Sequence, residues 1–215
     1  MTITEIWRYP VKSMAGERLL RADFGPMGIA GDRVVHVEDA RGRVVTSRTH
    51  PRLLSHKGST GEDGGVMIDG RRWDGPVAST DVIAIAGSGA RLVRDDSADR
   101  FDVLPLLVAT DGAIAAFGHD SRRLRPNLVI GGVPGMAERE WSGKVLRAAS
   151  GAIIGVQDLR ARCIMTSFDP DTQIQDKDIT HGIYQRFEGK LALNCFVIAG
   201  GMIAVGDEVA LEDPR

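Results

Sequence analysis

The chain has 215 residues, of which 43% are hydrophobic and 26% charged, and its formal net charge is −2. That composition excludes disorder as the main state, and the near-neutral balance excludes an electrostatic nucleic-acid binder, which needs a surplus of positive charge. No run approaches the roughly 20 apolar residues that span a bilayer, and the start MTITEIWRYP has no signal-peptide core, so the expected compartment is the cytoplasm, with no membrane partner.

Gly is unusually frequent, at 26 residues, and 9 prolines add to it. Such a chain turns often, which favours short strands over long helices. Strands are expected over residues 2–9, 18–24, 33–38, 43–46, 66–69 and 90–93. Turns at Gly25-Pro26, Gly31-Asp32, Arg41-Gly42, Gly64-Gly65 and Asp69-Gly70 separate them. The polar run RDDSADR at 94–100 is the best boundary and divides the chain into 1–95 and 96–215. Further strands follow at 103–110, 127–130, 145–149, 153–159, 195–199, 202–205 and 208–211. Thr110 is placed to cap a short helix over 112–117 that stops near Gly118. Ile179, Ile183 and Phe187 recur every four residues, so a second helix is expected between Asp176 and Arg186. The tail GGMIAVGDEVALED reads as a hairpin around Gly206-Asp207. The fold class is therefore mainly β (α+β), with strand spacing that suits barrels or sandwiches and a few short helices.

Several chemistries are excluded by their missing residues. IAGSGARL at 85–92 begins like a dinucleotide fingerprint, but Leu92 stands where the third glycine belongs. Lys12-Ser13 follows Pro10-Val11, not a phosphate-binding glycine loop, and no G-x-S-x-G elbow occurs. Cys163 and Cys195 are the only two cysteines, too few for a four-thiolate iron–sulfur cluster. The five histidines have no zinc-site spacing, so any metal would have very few protein ligands.

What remains gathers near turns. Lys12 and Ser13 follow the first strand, Arg33 opens the third, Arg48 follows Thr46-Ser47, and Arg122, Arg123 and Arg125 crowd before Pro126-Asn127. Each is either a surface charge lying over a β-edge or part of a site for a phosphate or polar heterocycle. The densest segment is LRARCIMTSFDPDT at 159–172. Its Cys163 sits between arginines and hydroxyls, and positive neighbours favour the thiolate, which is both the nucleophile and the soft-metal ligand. A free cysteine can equally be a small buried hydrophobe, and that reading is stronger for Cys195 in the apolar run LNCFVIAG.

Taken in order, YPVKS, Asp32-Arg33, TSRTHPRL, RLRPNLVI, RARCIMTSFDPDT and GMIAVGDEVAL resemble the two-part MOSC family, an N-terminal MOSC β-barrel domain followed by a MOSC domain. Described members include the mitochondrial amidoxime-reducing components and the bacterial YcbX-type proteins. The resemblance runs from about Ile3 to Leu211. It implies two β-barrel-like lobes with a molybdenum-cofactor cleft between them. It further implies that Cys163 is the metal ligand and catalytic residue, with Lys12, Ser13, Arg33, Arg125 and Asn127 holding the pterin cofactor. Arg48, Thr110 and Thr166 would join them. The implied reaction is reduction of an N-hydroxylated compound. Electrons would come from a separate donor protein, because the chain ends at Arg215 without a ferredoxin domain. Pyridoxal phosphate is not expected, since the region that binds it in fused cofactor sulfurases is absent, and a monomer is expected. Cys195 stands where eukaryotic relatives have a tyrosine near the cofactor, which would add a second thiol to the site. Two other roles stay open: a sulfur carrier using a Cys163 persulfide, and a non-catalytic molybdopterin carrier.

Overall fold

The computed structural model describes residues 1–214. Frequent turns divide the first part of the chain into β1 (Thr2–Arg8), β2 (Glu17–Leu19), β3 (Arg21–Gly25), β4 (Gly28–Ile29), β5 (Val35–Glu38) and β6 (Val44–Val45). Next come β7 (Gly58–Thr60), β8 (Val66–Ile68), β9 (Arg71–Arg72), helix α1 (Pro76–Ala86) and β10 (Arg91–Arg94). The second part holds β11 (Leu106–Thr110), α2 (Asp111–Phe117), β12 (Leu128–Gly131), β13 (Val145–Ala148) and β14 (Ile153–Ala161). It closes with α3 (Lys177–Phe187), β15 (Lys190–Ala199), β16 (Gly201–Ala204) and β17 (Val209–Glu212).

The class is mainly β with three short helices, as the composition requires. Eight strands form one large mixed sheet in the order β17-β13-β14-β15-β11-β12-β1-β2. Within it β11 and β12 are parallel, and the other pairs are antiparallel. Three small sheets, β10-β5-β6, β16-β3-β4 and β7-β8-β9, complete the strands. None of these hydrogen-bonded orders returns to its start, so no closed barrel is present among the described residues.

Two main apolar cores make the lobes. One lies against the large sheet and contains Ile3, Phe24, Leu128, Leu146 and Leu193. The other is built from Val11, Val35, Leu53, Ile68 and Val82. The strand pairing crosses the sequence midpoint. β1 pairs with β12, and β3 pairs with β16, so residues near the N-terminus are built into the larger lobe. The run 94–100 is packed rather than a free linker. Arg100 is buried and donates to the carbonyls of Asp32, Asp96 and Ser97.

Both expected helices form where their signals lie. The Thr110 hydroxyl accepts the Ala113 N–H at 3.1 Å, and Gly118 ends α2 at φ 74°. Asp176 caps α3, which buries Ile179, Ile183 and Phe187. Each such side chain contributes about 1.5–3 kcal/mol when removed from water. Helix α1 was not foreseen. Its Thr80, Val82, Ile83 and Ile85 are β-branched, and only Ala78 and Val82 are buried, so no clear apolar stripe marks it.

Two strand expectations need correction. The strand over 18–24 breaks at Leu20, which is exposed and turns the chain from the large sheet into a small one. The tail is not a hairpin: β16 pairs with β3 and β17 with β13. Ile3 and the turn exchange backbone hydrogen bonds, Gly206 N to Ile3 O and Ile3 N to Asp207 O, and this draws the two strands onto different partners.

Candidate active site: a cationic cavity beside Cys163

β1 runs out at Tyr9-Pro10, and the next residues bridge to β5: Lys12 N–H donates to Val35 O at 2.8 Å. Ser13 follows with φ 70°, Arg33 has φ 56° and Arg125 has φ 56°. All three are in the left-handed region, which costs a non-glycine residue energy and persists only where surrounding structure holds it. The three line one cavity of about 460 Å³ between the lobes.

The hub behind that wall is Asp32, which has no exposed surface. Its carboxylate accepts the Tyr9 N–H at 2.7 Å and the Asn127 amide at 3.2 Å, and it pairs with Arg33. The Asn127 oxygen in turn accepts from Leu107 N–H at 3.1 Å and from Arg33 at 3.3 Å. Tyr9 lies under two guanidinium groups, Arg125 at 4.2 Å and Arg33 at 5.2 Å from its ring centre. Burial pushes the Tyr9 hydroxyl up to about 12, so it stays neutral.

Eight basic side chains line the cavity, against two acidic ones, Asp102 and Asp158. Asp102 organises three of the cations, reaching Arg48 at 2.9 Å, Lys12 at 3.0 Å and Arg160 at 3.6 Å. Burial opposes ionisation of this carboxylate, but those cations outweigh it and hold its pKa below the usual range. Burial brings the Arg125 and Arg162 guanidiniums down to about 10, still charged at neutral pH. Arg162 donates to Leu124 O at 2.8 Å, while its buried Nε has no protein partner among the described residues. The space is therefore an anion site with uncommitted donors.

Cys163 follows β14, at the start of a short 3-10 turn over Ile164–Ser167, and its side chain is exposed on the cavity wall. The structure thus brings Lys12, Ser13, Arg33, Arg48, Arg125, Asn127 and Cys163 to one cavity. Among the described residues no three His, Cys, Asp or Glu side chains converge, so a metal here would rest on the thiol and on ligands from outside the chain.

Three expectations fail on position. Thr166 is fully buried and does not line the cavity; its hydroxyl donates to Cys163 O at 2.9 Å, so it fixes the backbone of Cys163. Thr110 is also fully buried and away from the cavity, its hydroxyl spent on capping α2 and on Glu138 at 3.1 Å. Cys195 is sealed in the large-sheet core, where burial pushes its thiol pKa up. It adds no second thiol to the cavity. In the other direction, Asp102, Asp158, Lys190 and Asn194 join the wall from outside the motifs. Arg123, Arg160 and Arg162 were visible in the arginine-rich runs that flank Pro126 and Cys163.

Glu138, the partner of Thr110, supplies a test of this buried corner. It has no exposed surface, its second carboxylate oxygen is unpartnered, and burial raises its pKa. A raised carboxyl pKa means the folded state holds the proton more tightly. Its stabilising contribution is complete below the unfolded pKa and is lost as pH rises through the folded one. Glu138→Gln is therefore expected to stabilise the protein at pH 8, by on the order of 1 kcal/mol, and to give no gain near pH 4. Urea midpoints at both pH values check this; an equal effect at the two would remove the ionisation account.

Residues 1–98 match the MOSC N-terminal beta barrel domain and residues 111–210 the MOSC domain. The chain is a two-part MOSC protein. It is similar to the human mitochondrial amidoxime-reducing component 1, at 24% identity over 82% of this chain and 68% of that protein. It is similar too to the mitochondrial amidoxime reducing component 2 of Macaca fascicularis, at 24% identity over 82% of this chain and 69% of that one. Among solved structures, the YUAD protein from Bacillus subtilis shares the fold at a TM-score of 0.50, with 14% identity, covering 100% of this chain and 98% of the other. No helix of the described residues is long and apolar enough to cross a membrane.

Proposed function

We propose that this protein is a molybdenum-cofactor-dependent reductase of N-hydroxylated compounds: R–NHOH plus two electrons and two protons gives R–NH2 plus water. The observation that carries the reading is the exposed Cys163 thiol on the wall of a cavity lined by eight cations. The residues suit a pterin phosphate bearing a soft metal. Lys12, Arg33, Arg48 and Arg160 would hold the anionic end, and the unpartnered Arg162 Nε is a buried donor in want of an acceptor. The Cys163 thiolate would be the metal's protein ligand. When bound, the cofactor supplies a two-electron redox couple that amino-acid side chains lack.

The chain's own part is positioning. Thr166 fixes the Cys163 backbone from behind. Asp102 ties Lys12, Arg48 and Arg160 together, so that these long side chains lose little freedom when an anion arrives. The left-handed backbone at Ser13, Arg33 and Arg125 aims their groups inward from two lobes. The names of the similar mammalian proteins support an N-oxygenated substrate. The two electrons enter from a separate donor protein.

Protein made in a host that synthesises the cofactor is expected to carry molybdenum and pterin at close to one per chain. It should then reduce an amidoxime when given a reductant. Absence of both metal and pterin, together with a stable extra sulfur on Cys163 after treatment with a cysteine desulfurase, would overturn this reading in favour of sulfur carriage. Tight pterin binding with no turnover under any reductant would leave a cofactor carrier instead.

A further inference from the structure

Back to back with the cationic cavity lies a second one, of about 350 Å³, which shares Arg123, Arg125 and Met165 with it. We propose that this second cavity binds a planar aromatic carboxylate.

Its wall is aromatic in a way the first cavity's is not. Trp7 and Tyr9, from β1 and its end, present rings 6.5 Å apart and only 16° from parallel. Phe168, from the far side of the Cys163 turn, joins them, and Leu54 comes from the smaller lobe. Gly16 keeps this surface in shape. A Cβ there would lie 2.5 Å from the Tyr9 ring, so any side chain would displace the ring. Flat aromatic ligands gain most from such a wall, through offset or edge-to-face contacts beyond simple burial. The volume sits at the lower end of pockets that hold small molecules, roughly 300–1,000 Å³.

The charges select the sign of the ligand. Arg122 is taken by Asp120 and Asp171, both at 2.6 Å, and Arg123 by Asp169 at 2.8 Å. Asp171 is the carboxylate on this wall, and it is committed to Arg122. Two cations are left over. Lys57 is exposed at the cavity and forms no ion pair with the described residues. Arg125 is deep in the shared wall, stacked on Tyr9 at 4.2 Å, with no carboxylate hydrogen-bonded to it among the described residues. One organic carboxylate would answer this surplus, with its ring against the aromatic wall and its charge paired to Lys57, with Arg125 adding to the positive field behind it. An inorganic anion makes no use of the rings, and a neutral ring makes no use of the cations. This inference does not depend on the redox reading of the first cavity.

The probe is 2-naphthoate, titrated into the full chain by calorimetry and by tryptophan fluorescence, with Trp7 as the reporter. Saturable binding is expected, weakened about tenfold by Lys57→Gln and by Phe168→Leu. Cyclohexanecarboxylate and 2-naphthylmethanol should each bind at least about tenfold more weakly than the probe. Inorganic phosphate, directed to the first cavity, should not displace it. Lys57 is exposed, so its variant tests the site without a folding penalty. No saturable binding, unchanged affinity in Lys57→Gln, or displacement by phosphate would each overturn the proposal. Loss of molybdenum binding with the naphthoate site intact would touch only the redox reading.

Discussion

Asp32→Ala is expected to destabilise the protein by about 3–5 kcal/mol, the usual cost of removing one partner from a buried ion pair. The residue has no exposed surface, and three groups depend on its carboxylate. The Tyr9 N–H would lose its acceptor at 2.7 Å, the Asn127 amide one of its two acceptors, and Arg33 its counter-charge. A small apolar side chain offers no replacement acceptor. Asp32→Asn keeps the shape and one acceptor oxygen, so it should lose less. Guanidinium denaturation of the two variants checks this. A loss below about 1 kcal/mol for alanine, no larger than for an exposed substitution, would show that Asp32 is not the hub. The same variant should weaken phosphate binding in the first cavity, because Arg33 and Asn127 both line it. Stability and binding are thus coupled at one carboxylate, since the hub that joins the lobes also backs the anion site.

How much of this was readable from residues alone differs by kind of interaction. Local signals carried well. Thr110 and Gly118 bracket α2, and the four-residue spacing of Ile179, Ile183 and Phe187 marks α3, because caps and amphipathic periods are written in adjacent residues. Cys163 was conspicuous because two arginines precede it and two hydroxyls follow it, and the structure exposes it beside the cations of the cavity wall. Roles set by long-range contacts were harder to read. Thr110 was read as both a cap and a cofactor ligand, but one hydroxyl engaged with Ala113 and Glu138 is not free for a cavity it does not reach. Asp102 went unnoticed because it stands in an irregular stretch, and only folding brings Lys12, Arg48 and Arg160 to it from three distant segments. The tail strands form near where they were expected, yet their partners were misread. Pairing depends on which edge is free in three dimensions, and β3 and β13 supplied those edges.

Cys163→Ser should abolish reduction while leaving the fold intact. The side chain is exposed and reaches no core residue's place, so stability should stay within about 0.5 kcal/mol of the parent. The exchange of sulfur for oxygen replaces a soft, polarisable donor with a hard hydroxyl that is protonated at neutral pH. Loss of groups that merely orient a metal's ligands costs about 10–100-fold, so loss of the ligand itself should cost at least about a hundredfold in turnover. The informative readout is the ratio of metal to pterin. Lys12, Arg33, Arg48 and Arg160 are untouched by the substitution, so the pterin should remain while molybdenum falls. Arg48→Gln is the matching control: Arg48 is exposed and its partner Asp102 keeps Lys12 and Arg160, so the change weakens the anion grip without stranding a buried charge, and pterin and metal should fall together. If Cys163→Ser keeps its molybdenum and its rate, the thiol is not the metal's ligand, and the cation-lined cavity has some other occupant. If metal and pterin leave in parallel in both variants, the thiolate holds the cofactor as a whole, and its chemistry is not separable from binding.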